Sequence, residues 1–485
     1  MTFPSPTTVL EWVLLALEVV LRIVALGVIP GNRKPSTGMA WLLLILIEPI
    51  VGFAIFLLFG RTALERKRIE RQKEAIGVIR EHAAKQSGVI DPELSTPIAR
   101  IADLNQRLGA LPMLDGNDVR LAPGYREVVA QMAEEIDRAV SYVHVEFYIT
   151  AWDDVSEPLF AAMERAAARG VGVRLLFDHL GSRRIPGYRS MVTRLHASGI
   201  AWHAMLPLRP LRGRFRRPDL RNHRKLVVVD GRVGYTGSLN LIEPGYNKRR
   251  NHRLGREWVE LMVRLEGPVV SSLNAVFASD WYAETDEGVS FDVVAPTPHQ
   301  LGEVACQVVP SGPGLVAENN LRMFTSLLYT ATERISITSP YFVPDESLLY
   351  AVTTAAQRGV PVELFVSEES DQFMVGRAQA SYYKALLEAG VRIHLYPAPW
   401  ILHAKHFTID RDVAVIGSSN MDMRSFALNY EVSLMLPDPD IVKALSEVQD
   451  HYRSISRELT LEEWLGRSRR ARYVDNVMRL TAALQ

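Results

Sequence analysis

The chain begins with two long, mostly hydrophobic runs and only then turns periodic. Val9 to Ile29 is apolar apart from Glu11, Glu18 and Arg22, and Gly38 to Phe59 holds one ionisable residue, Glu48, followed by Pro49. A helix that crosses a bilayer needs about 20 mostly apolar residues. Residues 1–60 therefore read as a transmembrane hairpin with helices over 9–29 and 38–59. No Lys or Arg precedes the first run and a second run follows almost at once, which fits an anchor better than a cleaved signal peptide. In an antiparallel hairpin turning near Lys34, Arg22 and Glu48 reach similar depth, so they either pair or Glu48 carries a proton.

Basic residues then set the orientation. Arg33 and Lys34 lie between the runs, and Arg61, Arg66, Lys67, Arg68, Arg71, Lys73 and Arg80 follow the second. The positive-inside rule puts the C-terminal side of the second helix in the cytoplasm. Residues 61–110 are charged and helix-prone and read as a juxtamembrane linker.

Beyond that point the pattern occurs twice, over 111–295 and 296–485. In the first half, Tyr142 to Ile149 has strand character, a helical stretch follows, Arg169-Gly170-Val171 stops it, and Gly172 to Phe177 is a second strand. A further helix ends at Gly199-Ile200. The second half repeats this with Arg334 to Tyr341, Arg358-Gly359-Val360, Val362 to Val366 and Gly390-Val391. Glycine suits a helix C-cap before a strand. Each half reads βαβαβ, an α/β pattern, and two such halves can enclose one site.

Each half ends in the same signature. His223-Arg224-Lys225 leads to Asp230 and then Gly237-Ser238-Leu239-Asn240; His403-Ala404-Lys405 leads to Asp410 and then Gly417-Ser418-Ser419-Asn420. The surrounding apolar residues imply strands, on which positions i and i+2 share a face, so His and Lys project together. Asp230-Gly231 and Asp410-Arg411-Asp412 are turn chemistry. The return strands, Arg232 to Tyr235 and Val413 to Ile416, bring Ser and Asn back beside His and Lys.

These groups suit phosphodiester transfer. A neutral imidazole attacks phosphorus and forms a covalent intermediate, while the second imidazole serves as acid and then base. Lys225 and Lys405, with the Ser238, Asn240, Ser418 and Asn420 donors, are expected to neutralise the non-bridging oxygens. Lysines supply the positive charge, so neither metal nor cofactor is expected. Each imidazole needs a group to fix its tautomer; Glu260 and Glu431, at the starts of later strands, are the candidates, with Glu257 competing in the first half. The turn position of Asp230 and Asp410 suggests a structural role. His406 is read as a strand residue beside the site.

Composition alters the picture in two places. Lys plus Arg equals Asp plus Glu at 55 each, so the whole is neutral and only local distribution bears on an anionic partner. One cysteine, Cys306, excludes an intramolecular disulfide and makes a cysteine zinc site implausible. Locally, Gly199 to His223 is 24 residues against 13 for Gly390 to His403, and the excess carries Arg209, Arg212, Arg214, Arg216, Arg217 and Arg221. That run is expected to meet anionic lipid headgroups.

The doubled motif resembles the phospholipase D superfamily, and the chain as a whole is similar to its bacterial cardiolipin synthases. The likeness rests on Leu58-Phe59-Gly60, Arg221 to Lys225, Ser339 to Asp345, Gly417 to Phe426 running on to Asn429 and Glu431, and Leu461-Glu462-Glu463-Trp464. Glu48 departs from it. The resemblance implies two phospholipase D-like domains around one central site, and His223, Lys225, Asp230, His403, Lys405 and Asp410 as the catalytic set. It also implies transfer of a phosphatidyl group between two phosphatidylglycerol molecules at the cytoplasmic face of the bacterial inner membrane. Rival readings are a phospholipase D using water as acceptor, a nuclease with its basic loop on nucleic acid, and a non-catalytic lipid scaffold. The hairpin and neutral charge weigh against nucleic acid, and two complete motifs weigh against a scaffold. Between the near-equivalent histidines, His223 is the expected nucleophile and His403 the acid.

Overall fold

The computed structural model describes residues 8–31, 35–60, 66–85, 94–208, 219–288, 301–316 and 318–480. The chain divides into two compact units, one formed by residues 1–64 with 217–219 and the other by the rest.

The first unit is helical. Val9–Val28 forms one helix, opened by a capping box between Thr8 and Glu11. The second apolar run does not form the single helix expected over 38–59. It is split into Pro35–Ile47, Pro49–Ile55 and a π-helical turn, Phe56–Gly60. The break falls at Glu48, whose backbone leaves the helical region at φ −128°, ψ 81°. Pro49 is the cause: its ring disfavours helical geometry at the preceding residue, and it has no N–H to donate. Among the described residues no helix is both long enough and apolar enough to cross a bilayer. Arg22 pairs with Glu18 at 3.2 Å on its own helix, and its Nε donates to the Leu46 carbonyl. The expected pairing with Glu48 is thus replaced by a local i,i+4 pair. Inside, Ala25, Ile29, Leu42, Ile45 and Phe56 pack together. Outside, long apolar side chains such as Leu10, Trp12, Ile23, Leu43 and Ile47 stand exposed.

The second unit holds both repeats. The first half supplies β1 (Met113–Pro123), β2 (Tyr142–Phe147), β3 (Gly172–Asp178), β4 (Ala201–Met205), β5 (Leu226–Val229), β6 (Val233–Gly237), β7 (Trp258–Val259) and β8 (Leu261–Glu266). The second supplies β9 (Val304–Ser311), β10 (Ile335–Thr338), β11 (Phe342–Val343), β12 (Val362–Ser367), β13 (Arg392–Tyr396) and β14 (Ile401–Leu402). It continues with β15 (His406–Ile409), β16 (Val413–Gly417), β17 (Met421–Asp422), β18 (Glu431–Leu436) and β19 (Arg457–Leu459). One sheet runs β4-β3-β2-β5-β6-β8-β1-β9-β18-β16-β15-β10-β12-β13-β19. Apart from the added β19, it reads the same from either end, with β1 and β9 antiparallel at the seam. The β2-β3-β4 and β10-β12-β13 sets are parallel with helical crossovers, as the βαβαβ pattern requires.

Each half has its own apolar core, one around Val145, Phe160 and Leu175, the other around Phe324, Leu364 and Phe407. The motif glycines close these layers. A Cβ on Gly237 would lie 2.4 Å from the Leu261 carbonyl oxygen, and one on Gly417 2.4 Å from that of Val432, so β6 and β16 approach their neighbours only as glycine. The segment read as a linker also belongs to this unit. Its helix Arg66–Lys85 packs on the helix Val269–Thr285, and Arg68 is buried there against Glu284.

Candidate active site

The motif strands start later than the alternation suggests. β5 begins at Leu226 and β15 at His406, so neither His-x-Lys triplet lies in its home ladder. Both triplets are extended, and each leans on the other half. The His223 N–H donates to the Tyr430 carbonyl at 2.8 Å, and the Tyr430 N–H to the Arg221 carbonyl at 2.9 Å. Symmetrically, β14 pairs in parallel with β7, and the His403 N–H donates to the Val259 carbonyl at 2.8 Å. Each histidine is thereby fixed to the residue that precedes the glutamate of the opposite half.

That exchange sets the side chains. Glu260 Oε1 lies 2.7 Å from His403 Nδ1, and Glu431 Oε1 3.2 Å from His223 Nδ1. Glu257 stays exposed and uses its backbone carbonyl, accepting from Ile401. Burial pushes both imidazoles below the usual histidine range, against the opposing pull of the glutamates. Both are therefore largely neutral at pH 7; His403 Nδ1 bonds Glu260, while His223 Nδ1 faces Glu431 at 3.2 Å with the Asn429 amide at 3.4 Å, so each Nε2 is left to meet a reactant.

Lys225 and Lys405 are buried, and each Nζ donates to the carbonyl of its own histidine. Burial lowers Lys225 to about 8 and Lys405 to about 7, opposed by Glu431 and Glu260 in both cases. Lys405 and His403 also feel the charge of Lys225. The two motifs thus share one electrostatic site. Tyr148 packs its ring 4.1 Å from that of His223 and lies under Lys225, while Tyr341 meets His403 edge-on at 6.4 Å.

The serines depart from their expected role as substrate donors. Ser418 Oγ donates to Glu431 Oε2 at 2.5 Å and accepts from Val432 N. Ser238 Oγ accepts from Leu261 N at 2.9 Å. Both brace the strand that carries a glutamate, because the glycine before them brings the chain into backbone contact there. Asn240 is likewise committed, accepting from Ile149 N and donating to the Tyr246 hydroxyl. Asn420 is buried with its Oδ1 unpartnered by protein, so of the four it is the one with acceptor capacity left in the site. His406 turns away to Gln449 and Tyr452.

The carboxylates of Asp230 and Asp410 are placed at the turns of their hairpins, bonded to backbone N–H groups and not to the His–Lys triplets. Four strand residues lie between each aspartate and its lysine, a span of five steps at about 3.3 Å each. Asp230, at φ 53°, accepts from the N–H groups of Val140, Ser141 and Tyr142 at 2.8–2.9 Å. Asp410, at φ 52°, accepts from Thr332, Glu333 and Arg334 in the same way. Each ties its hairpin to the start of the neighbouring strand, β2 or β10. Of the expected headgroup arginines, Arg209, Arg212, Arg214, Arg216 and Arg217 lie outside the described residues. Arg221 faces inward, 2% exposed, with Nη1 3.2 Å from Asp178 Oδ1. A buried carboxylate holds it there, so it is not turned toward lipid.

A buried polar cluster behind His223 was missed. Arg224 Nε donates to the Glu431 carbonyl at 3.0 Å, its Nη2 to the Ser311 carbonyl, and it pairs with Asp280. Arg68 Nε donates to the Tyr430 hydroxyl at 3.2 Å. The Tyr430 ring has Arg68 at 5.2 Å and Arg224 at 5.3 Å. The His403 half-site has Ala404 and Val259 at the places of Arg224 and Tyr430, so the cluster serves one histidine only. An arginine between the His and Lys of a motif was the one visible signal.

Against known proteins, the family model described as "Cardiolipin synthase, PLD-like domain" matches residues 132–281 and 324–453, and "Phospholipase_D-nuclease N-terminal" matches 19–61. Cardiolipin synthase A of Proteus mirabilis (strain HI4320) is 33% identical over 445 residues, covering 89% of this chain and 90% of its own. That of Klebsiella pneumoniae (strain 342) is 33% identical, covering 97% of each chain. The crystal structure of phosphatidylserine synthase from Haemophilus influenzae Rd KW20 superposes with a TM-score of 0.59 at 13% identity. It covers 81% of this chain and 100% of that one, a likeness of fold. By family model and by relatives, the chain belongs to the bacterial cardiolipin synthase family of phospholipase D-like enzymes.

Proposed function

We propose that this enzyme joins two phosphatidylglycerol molecules into cardiolipin, releasing glycerol, through a phosphohistidine at His223. The reciprocal His–Glu exchange carries this reading, since it gives one site two oriented imidazoles flanked by two lysines. His223 Nε2 attacks phosphorus as the bond to the glycerol oxygen breaks, and that oxygen takes a proton from Nε2–H of His403 in the fraction of enzyme that carries His403 as an imidazolium paired with Glu260. In the second step His403 takes the proton from a hydroxyl of the second lipid. That oxygen attacks phosphorus and the N–P bond breaks. The shorter carboxylate contact of His403 suits it to hold the transferring proton, which leaves His223 as nucleophile. Lys225 and Lys405 offset charge on the non-bridging oxygens, and no step calls on a metal.

The N-terminal unit is proposed to sit in the membrane as a hairpin. Its outward surface is apolar nearly throughout, which favours burial in lipid. The cations after residue 60 favour a cytoplasmic catalytic unit. Purified enzyme in detergent with phosphatidylglycerol tests the reaction: cardiolipin plus glycerol supports it, and phosphatidic acid as sole product makes the enzyme a hydrolase. Mass spectrometry of intermediates quenched in neutral-to-alkaline denaturant, where the N–P bond survives, locates the phosphorylated histidine. Product formation by the His223→Ala, His403→Ala double variant would overturn the mechanism.

A further inference from the structure

We propose that the rim of the His403 half-site is a docking face for an anionic bilayer surface. The proposal rests on the reading above, that the substrate is a membrane lipid. Three segments make the rim, and each is joined to the site or to its neighbour by a direct contact. Trp400 stands three residues before His403, 43% exposed. Phe373 and Met374, 64% and 47% exposed, follow Asp371 and Gln372. Those two residues bond the hydroxyl of Tyr341, the residue whose ring meets His403. Leu254, 44% exposed, precedes Gly255, at which a Cβ would lie 3.8 Å from Pro399, and Arg256 reaches Glu369 at 2.9 Å. The rim thus presents large apolar side chains to solvent beside a site that needs a lipid's headgroup.

Charge selects the occupant. Residues 244–256 contain five Lys or Arg and no acid. Lys248, Arg249, Arg250 and Arg253 are all exposed. Of the acids nearby, Glu369 is held by Arg256, Glu368 by Arg457 and Asp371 by Tyr341, while Glu257 is exposed. Apolar side chains alone would fit many partners. Exposed Trp and Phe combined with a block of cations fit the boundary between acyl chains and anionic headgroups.

Cys306 is fully buried, so a single added cysteine reports alone. Full-length Trp400→Cys and Phe373→Cys, each carrying a polarity-sensitive fluorophore, are compared with Val140→Cys. Val140 is 84% exposed and lies beside the Asp230 turn. The vesicles contain phosphatidylglycerol and a nitroxide-labelled phosphatidylcholine. Labels at Trp400 and Phe373 should shift to the blue and be quenched several-fold more than the label at Val140. Quenching should weaken when phosphatidylcholine replaces phosphatidylglycerol. Rim labels as wet as the control would overturn the proposal, and so would equal quenching in zwitterionic vesicles. Two independent positions guard against one variant that fails to fold. The labels report depth whether or not lipid turns over, so this failure is distinct from failure of the cardiolipin-forming reaction.

Discussion

The carboxylate of Glu260 lies 2.7 Å from a ring nitrogen of His403, which follows it by 143 residues and belongs to the other repeat. The contact exists because β14 leaves its own half to pair with β7. A carboxylate on Nδ1 fixes the tautomer and steadies the imidazolium as it forms. Glu260→Gln keeps the shape but presents the wrong tautomer with equal ease. We expect kcat to fall about 10³-fold or more, with the thermal midpoint near that of the parent. A loss under tenfold in single-turnover assays would remove Glu260 from the orienting role.

Anion binding should follow the lysines. Burial puts Lys405 at about 7 and Lys225 at about 8. Each is a cation below that value and neutral above it, so affinity for a phosphate mimic falls as pH rises through this window. Tungstate, a dianion throughout, should bind with a Kd that climbs up to about tenfold per pH unit between 7 and 8, and more steeply above 8 where both lysines titrate. Lys405→Arg keeps its charge across the range and should flatten the first part of that climb. Calorimetric titration from pH 6 to 9 reads both, and a flat profile in the parent enzyme would contradict the lowered lysines.

Arg68 should act on one half-site only. It bonds Tyr430, the neighbour of Glu431 and the acceptor for the His223 N–H. Arg68→Lys retains a cation opposite Glu284 but loses the fork that reaches the hydroxyl. We expect kcat to drop about tenfold, equivalent to about 1.4 kcal/mol, with KM little changed. Combined with Glu431→Gln the effects should be non-additive, and with Glu260→Gln additive. Equal coupling to both glutamates would mean that Arg68 only stabilises the fold.

Asp230 separates structure from chemistry. Asp230→Ala strips an acceptor from three N–H groups and puts Ala at φ 53°. A loss of about 2 kcal/mol in stability is expected, with turnover per folded molecule within about twofold of the parent. A hundredfold loss of turnover without a stability change would return Asp230 to the catalytic set.

Much of this site was open to reading from the chain alone, because the chemistry repeats. Spacing placed His223 with Lys225 and His403 with Lys405, and the later strands offered Glu260 and Glu431. Which glutamate serves which histidine could not be read. The answer lies in two short parallel pairings between segments far apart in sequence, which leave no local pattern. Ser238 and Ser418 were misassigned for a related reason: their partners are the backbones of β8 and β18, set by sheet order. The break at Glu48-Pro49 was visible as residues, but average hydrophobicity outweighed the local rule against a helical residue before proline. Arg68 sat in a charged run read as a juxtamembrane linker, and only the packing of its helix on Val269–Thr285 reveals its place.

The crossed His–Glu pairs make the two repeats hostages to one another. Neither half carries a complete acid–base couple, so a cut between 288 and 301 followed by separation should abolish both couples together. Reassociated fragments should regain both. Such a site also implies its own ancestry: a single repeat could have worked only as a two-fold dimer, each copy lending a carboxylate to its twin. The arginine cluster behind His223, where the His403 half-site has Ala404 and Val259, shows that the two couples are held in place differently.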